Sequence, residues 1–239
     1  MGLFTAINQQ TANDFVRNGL VFYVDSNNVS SYPGSGTSCF QVGNLGTTSR
    51  TGTLQNGVTF SSQNGGTFAL ASANSRYISF SDTGLPAGQT ARTLSVWVYN
   101  NNTNGNSIWY GTAATNQGIG MQQIGTNGST FRFYGYANDY DITVTSTQGN
   151  MFNRWTNMVG TFDGTNAGVY LNGEFMGSSN RSGWNTVLGG TLSLGATVFS
   201  GSPGNFINGF LPTAQIYNRV LSFAEIRQNY NFFKPRFLN

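Results

Sequence analysis

Apolar residues fall in short runs along the chain, alternating or continuous, and Gly, Asn and Asp punctuate the gaps. Leu20-Val21-Phe22-Tyr23-Val24-Asp25, preceded by Gly19, is the first such run and reads as a β-strand. Further strand signals follow at Thr53–Phe60, Thr67–Leu70, Arg76–Phe80, Thr93–Tyr99, Ser107–Tyr110 and Gly118–Ile124. Thr130–Tyr136, Asp141–Thr145, Trp155–Phe162, Ala167–Leu171, Glu174–Gly177, Thr191–Ala196 and Phe210–Tyr217 complete the set. Asn56-Gly57, Asn64-Gly65, Asp163-Gly164 and Asn208-Gly209 are turn signals. The clearest hairpin is Val169 to Met176, where Asn172-Gly173 supplies the two positive-φ positions of a type I′ turn. One helix is well signalled. Ser222-Phe223-Ala224-Glu225 is a capping box, and Ile226 and Tyr230 continue an i, i+4 apolar face.

About thirteen short strands and one late helix predict an all-β fold, a two-sheet antiparallel jelly-roll sandwich with a short C-terminal helix. No linker or repeat divides the chain. The expected layout is an N-terminal arm over residues 1–19, a sandwich over 20–230 and a C-terminal tail over 231–239. Asn8–Asn18 reads either as a short helix, with Phe15 and Val16 docked on the sandwich, or as an extended arm on a neighbour. Pro235 predicts that the tail leaves the helix and runs extended. Its Phe232, Phe233, Phe237 and Leu238 would be an aggregation hazard if bare, so they need covering. At least one of the two arms is expected to dock on another chain.

Composition narrows the function. A chain of 239 residues buries about 70% of its unfolded surface and needs no covalent staple. Charged residues make up 8% against about 25% in average soluble proteins, yet 14% aromatics exclude disorder. With Cys39 alone and no histidine, intrachain disulfides, multi-Cys zinc sites and Ser-His-Asp catalysis are excluded. The net charge of +3 reflects few acids, and Lys234 is the sole lysine among scattered arginines. Nucleic acid is therefore not an expected partner. Met1–Ile7 is too short for a signal-peptide core, and no run approaches the ~20 apolar residues of a membrane span. A soluble protein with no membrane partner is expected. An uncharged, Asn- and Thr-rich surface made without an export signal suits a virion protein, assembled in host cytoplasm and carried on the particle's outer surface.

Several stretches carry a family resemblance. Leu20–Asp25 followed by Ser31-Tyr32-Pro33-Gly34-Ser35-Gly36-Thr37 resembles the opening of laminin-G-like, concanavalin A-like jelly-roll domains of tailed-phage virion proteins. Gly52–Phe60, Leu94–Val98, Trp155–Gly164, Tyr170–Gly173 and Ile216–Ser222 with Glu225-Ile226 extend the resemblance over Leu20–Tyr230. It implies the concanavalin A-like fold, which hosts lectins, glucanases and passive modules alike. Where family members carry Asp-Gly-x-Asp-Asp-Tyr, this chain reads Ala71-Ser72-Ala73-Asn74-Ser75-Arg76-Tyr77. The acidic pair that family members usually carry before the penultimate strand's Ile-Tyr-Asn-Arg is likewise neutral in Gly209–Gln215. Both departures speak against carboxylate-ligated calcium and acid–base chemistry.

Glycoside hydrolysis needs two carboxylates about 5–10 Å apart. Glu174 sits beside a hairpin turn and Glu225 belongs to the capping box. Asp139 and Asp141 share one strand face and read as a paired site, a cation site or a solvated loop. Asp25 and Asp163 read as turn residues, with calcium as the alternative. No enzyme activity, metal or cofactor is expected. Sugar binding asks only for an exposed aromatic face and nearby polar groups, and Trp109, Tyr136, Tyr140 and Trp184 are the candidate ligand-binding residues. Trp97 and Trp155 read as core, and Cys39 as a buried small side chain. Two functions remain: a capsid decoration or fibre-associated structural protein, or a glycan-binding receptor-recognition module of a phage fibre. The corresponding partners are the major capsid protein or fibre, further copies in a homotrimer, and a host-surface glycan.

Overall fold

The structure, a computed structural model, describes residues 14–42, 49–126, 128–136 and 141–238. Its strands are β1 (Leu20–Asp25), β2 (Ser38–Phe40), β3 (Thr51–Gln55), β4 (Thr59–Ser61), β5 (Thr67–Leu70), β6 (Tyr77–Ser81), β7 (Arg92–Asn100), β8 (Gly105–Gly111) and β9 (Gly118–Ile124). They continue with β10 (Thr130–Gly135), β11 (Ile142–Thr145), β12 (Arg154–Phe162), β13 (Asn166–Leu171), β14 (Glu174–Asn180), β15 (Thr191–Leu194), β16 (Thr197–Phe199), β17 (Ser202–Gly204) and β18 (Gly209–Tyr217). Among the described residues there is one α-helix, α1 (Phe223–Phe237), near the C-terminal end.

Two eight-stranded antiparallel sheets face each other. One runs β14-β13-β12-β7-β18-β5-β4, with β1 also paired to β18; the other runs β11-β10-β9-β8-β15-β6-β3-β2. The sandwich interior follows the alternation of the strands. Leu94, Val96 and Val98 of β7 point inward to meet Ile108 of β8, Met121 of β9 and Phe133 of β10 from the other sheet. The Asn172-Gly173 turn joins β13 and β14 as the sequence indicates, with φ of 51° and 79°. The run Thr53–Phe60 is not one strand. Asn56 (φ 57°) and Gly57 (φ 74°) break it, placing β3 in one sheet and β4 in the other. The left-handed backbone at both positions turns the chain across the sandwich edge.

The first sheet has a second apolar layer on its outside. Helix α1 and the segment before β1 lie against Trp97, Val159, Tyr217 and Leu20, forming a cluster separate from the sandwich core. Trp97 stacks on Tyr230 at 5.6 Å and 8°, and meets Phe237 at 4.7 Å. Trp155 is half-buried and packs on Phe237 at 4.8 Å. Trp97 is thus a core residue of this outer layer, whereas Trp155, expected in the core, packs half-buried at its edge. Phe15 and Val16 dock on the same layer without forming a helix. Asn229 fixes them there: its Oδ1 accepts from the Val16 amide at 2.7 Å, while its Nδ2 donates to the Tyr217 hydroxyl at 3.0 Å.

The C-terminal segment departs from expectation. It does not run extended, because α1 continues through Pro235 to Phe237. Pro235 forfeits one helical hydrogen bond and crowds the preceding turn, at a cost of about 3 kcal/mol. Burying Phe233 and Phe237 returns about 1.5–3 kcal/mol each. Arg236 adds an ion pair to Asp25 at 2.7 Å, between side chains only 12% and 9% exposed. Tertiary packing therefore outweighs the local preference. The N-terminal end of α1 is held by the capping box: Ser222 Oγ accepts from the Glu225 amide and Glu225 Oε2 accepts from the Ser222 amide. Arg219 grips both Glu225 oxygens, at 2.6 and 2.9 Å.

Candidate functional site

On the outside of the second sheet, strand alternation places Arg132, Tyr134 and Tyr136 of β10 and its continuation on one face. Trp109 of β8, Gly120 of β9 and Tyr134 of β10 lie in register across three strands. Gly118 and Gly120 make the room for the indole: a Cβ at either would stand 2.2 and 3.0 Å from Trp109 ring atoms. Trp109 therefore lies flat over β9 and stacks on Tyr134 at 5.7 Å and 25°. The hairpin β16–β17 folds back over this face, and Phe199 meets Trp109 edge-on at 5.0 Å.

Beside that lid a cleft of about 220 Å³ opens, lined by Arg132, Tyr134, Tyr136, Asp141, Phe199 and Asn205. Tyr136 and Phe199 form one wall, 4.7 Å apart and edge-to-face. The opposite side is polar. Arg132 pairs with Asp141 at 2.9 Å, donates to Gln122, and lies 4.8 Å over the Tyr134 ring. Tyr134 donates to Asn106 Oδ1 at 2.8 Å, and burial pushes its phenol well above the ordinary range. Paired charges, amide groups and an aromatic rim suit a neutral polyhydroxylated ligand, which presents an apolar C–H face and a hydroxyl edge.

The residues proposed from sequence are thus divided. Tyr136 is half-exposed at the rim. Trp109 is 0% exposed beneath Phe199, so it supports the wall and offers no face to a ligand. Trp184 is 1% exposed and sits inside the sandwich against Phe133 and Phe162, at 5.0 and 5.4 Å. Neither indole is the exposed stacking surface expected of it, because both are covered by residues distant in the chain. Tyr140 and Asp139 lie outside the described residues. Arg132, Phe199 and Asn205 were not anticipated. The alternation of Arg132 with Tyr134 and the Gly118-x-Gly120 spacing opposite Trp109 are the signals that mark this face.

The remaining candidates have structural roles. Asp25 accepts from Tyr23 Oη and the Asn27 amide, both at 2.9 Å, besides its pair with Arg236. Asp163 accepts from the Thr165 and Asn166 amides, and the Asn166 amide bond foremost holds its carboxyl below the usual range. Glu174 makes an exposed pair with Arg227 at 3.6 Å. Cys39 is buried, and burial pushes its thiol up to about 12. Among the described residues no three carboxylate or thiol groups converge on a metal-sized site.

A two-sheet antiparallel sandwich with ligand-sized clefts on its outer faces is a lectin-like jelly roll. Residues 72–227 match the Laminin_G_3 profile of the concanavalin A-like lectin/glucanases superfamily, and the chain belongs to that family. Domain 4 of AbnA, a GH43 extracellular arabinanase from Geobacillus stearothermophilus in complex with arabinotriose, has a similar fold. It is 16% identical with a TM-score of 0.60, over 88% of this chain and 98% of that one. The binding domain of botulinum neurotoxin DC, in complex with rat synaptotagmin II, is 14% identical with a TM-score of 0.66, covering 90% and 52%. That of botulinum neurotoxin serotype G is 14% identical with a TM-score of 0.64, covering 88% and 50%. The chain spans about half the length of these neurotoxin binding domains. At such identities the likeness is one of fold. No curated protein is similar enough in sequence to count as a match.

Proposed function

We propose that this protein is a non-enzymatic virion surface protein whose lectin-like sandwich binds a host-surface glycan. The observation that carries the glycan reading is the cleft walled by Tyr136 and Phe199 opposite Arg132, Asp141 and Asn205. Tyr136 stacks on one sugar ring, and Trp109 holds the wall from behind. Hydrolysis is disfavoured because Asp141 is the only carboxylate among the described lining residues, and Arg132 holds it as an ion pair. The fold-level likeness to an arabinanase domain crystallised with arabinotriose and to neurotoxin binding domains supports recognition over catalysis. Placement on the outer surface of a phage particle, as capsid decoration or with a fibre, rests on the motif resemblance and the charge-poor surface. Its partners there are the major capsid protein or fibre, with homotrimerisation as the assembly mode.

Titration calorimetry against a panel of neutral oligosaccharides tests the binding site. At least one should bind saturably, and Tyr136→Ala should weaken it tenfold or more without shifting the melting temperature. Absence of any binding, or equal binding by the variant, overturns the glycan reading. Antibody labelling of intact particles tests the location, and particles that carry no label overturn the virion reading.

A further inference from the structure

The outer layer on the first sheet covers only part of its β13–β14 end. Helix α1 lies over β7, β18, β1 and β12 and reaches β13 and β14 at their hairpin end, where Phe223 stacks on Tyr170 and Arg227 pairs with Glu174; past these contacts, beside Val220, lies a second cleft of about 240 Å³. Its floor is a row of three residues in register across three strands: Thr161 of β12, Gly168 of β13 and Ser178 of β14. Gly168 is what makes it a cleft. Its φ is unremarkable, so the glycine is not there for the backbone. A Cβ would stand 2.9 Å from Thr161 Oγ1, 3.6 Å from Tyr170 and 3.7 Å from Phe175, filling the space between them.

One wall is aromatic. Tyr170 and Phe175 are cross-strand partners with ring centroids 5.2 Å apart at 59°, and Phe175 is 52% exposed. A bulge between Val169 and Tyr170 makes this arrangement. Residues three apart on β14, Phe175 and Ser178, thereby reach the same face, while Met176 turns in to the sandwich core. The opposite wall is polar, formed by Asp163 and Asn166. The Asp163 carboxylate is preset by the backbone amides of Thr165 and Asn166 on Oδ1, which leaves Oδ2 with only a long 3.5 Å contact to Asn166 Nδ2.

We propose that the cleft over Gly168 is a second carbohydrate site, which takes a single neutral pyranose ring between Phe175 and Asp163. The apolar C–H face of the ring lies against Phe175 and Tyr170, where the negative aromatic face meets the positive C–H edge. Its hydroxyls donate to Asp163 Oδ2 and meet the hydroxyls of Thr161 and Ser178 below. An apolar peptide side chain would bury Asp163 Oδ2 and the Ser178 hydroxyl without giving either a new partner, while Thr161 Oγ1 keeps its 3.5 Å contact to the Gly168 carbonyl. The volume is below the roughly 300–1,000 Å³ of drug-sized sites, so one ring fills it. Asp163 is the only charged residue among the described lining residues, and it selects against uronic and sialic acids. This site is independent of the Tyr136 cleft, since it lies on the other sheet.

Methyl glycopyranosides of glucose, galactose and mannose, with methyl glucuronide as the anionic probe, test the assignment by chemical-shift titration of the full chain. At least one neutral glycoside should shift the amides around Gly168 and Phe175 saturably, and the glucuronide should not. Phe175→Ala and Gly168→Ala should each weaken that titration tenfold or more, while Tyr136→Ala leaves it unchanged. Phe175 is exposed, so its variant decides the outcome even if Gly168→Ala perturbs folding. No saturable shift at these amides, or an undiminished one in Phe175→Ala, overturns the second site. Loss of the Gly168 and Phe175 shifts in Tyr136→Ala would likewise overturn an independent second site, whereas loss of oligosaccharide binding in that variant with these shifts intact supports two separate sites.

Discussion

Each outer face of the sandwich carries a tryptophan on a central strand, Trp97 on one sheet and Trp109 on the other, and both are sealed from solvent. The means of sealing differ. Trp97 lies under a fifteen-residue helix that brings Ile226, Phe233 and Phe237 with it and builds a complete second core. Trp109 lies under a short hairpin that contributes chiefly Phe199, so the cover ends at the Tyr136 rim and a cleft remains beside it. A long amphipathic element turns an aromatic sheet face into structure. A short one leaves part of it for recognition. The first sheet shows both outcomes, because α1 seals its centre and leaves part of the β13–β14 end, over Gly168, open.

The sharpest way to break this contrast is to remove the centre of the helix-covered layer. Trp97→Ala should cost about 3–5 kcal/mol in urea unfolding, the scale of a buried aromatic truncation. A loss under 1 kcal/mol would mean that α1 is a loosely attached appendage. Arg236→Ala should cost about 3 kcal/mol, because it leaves Asp25 buried beside Tyr23 without its cation. An unchanged melting temperature would show the C-terminal turn to be dispensable, as an extended arm would have been. Ser222→Ala should cost least, about 1 kcal/mol for a lost cap. The same cap carries a pH signature. Hydrogen bonding to Arg219 foremost, and then the Ser222 amide, holds Glu225 down to about 2 against an ordinary 4.5. Its stabilisation is therefore complete above about pH 4.5 and is lost as the pH falls toward 2. In Glu225→Gln, thermal melts across that window should depend less on pH than those of wild type.

The strands, their alternation, the Asn172-Gly173 hairpin and the Ser222 capping box were legible in the sequence, because each is set by residues within a few positions of one another. The resemblance at Trp155–Gly164 and Ile216–Ser222 carried the two-sheet architecture. Strand alternation also sorted Arg132, Tyr134 and Tyr136 onto one face. It did not say whether that face was open. Trp109 and Trp184 look alike to a reader of the chain, as aromatics with polar neighbours. Phe199 covers the first from ninety positions away, and Phe133 and Phe162 enclose the second.

The C-terminal segment shows the same boundary from the other side. Pro235 is a helix breaker by any local rule. What overrides it is the burial of Phe233 and Phe237 on a sheet whose strands lie far back in the chain, together with Asp25 waiting for Arg236 across 211 positions. The cleft over Gly168 likewise depends on a bulge and on where α1 begins to cover the sheet. The sequence by itself therefore determined which residues form strands, turns and caps and which face each side chain takes, since these follow from local sterics and hydrogen bonding. Which faces are sealed and which stay open was decided only by tertiary structure, since coverage depends on long-range packing energies that no local pattern records.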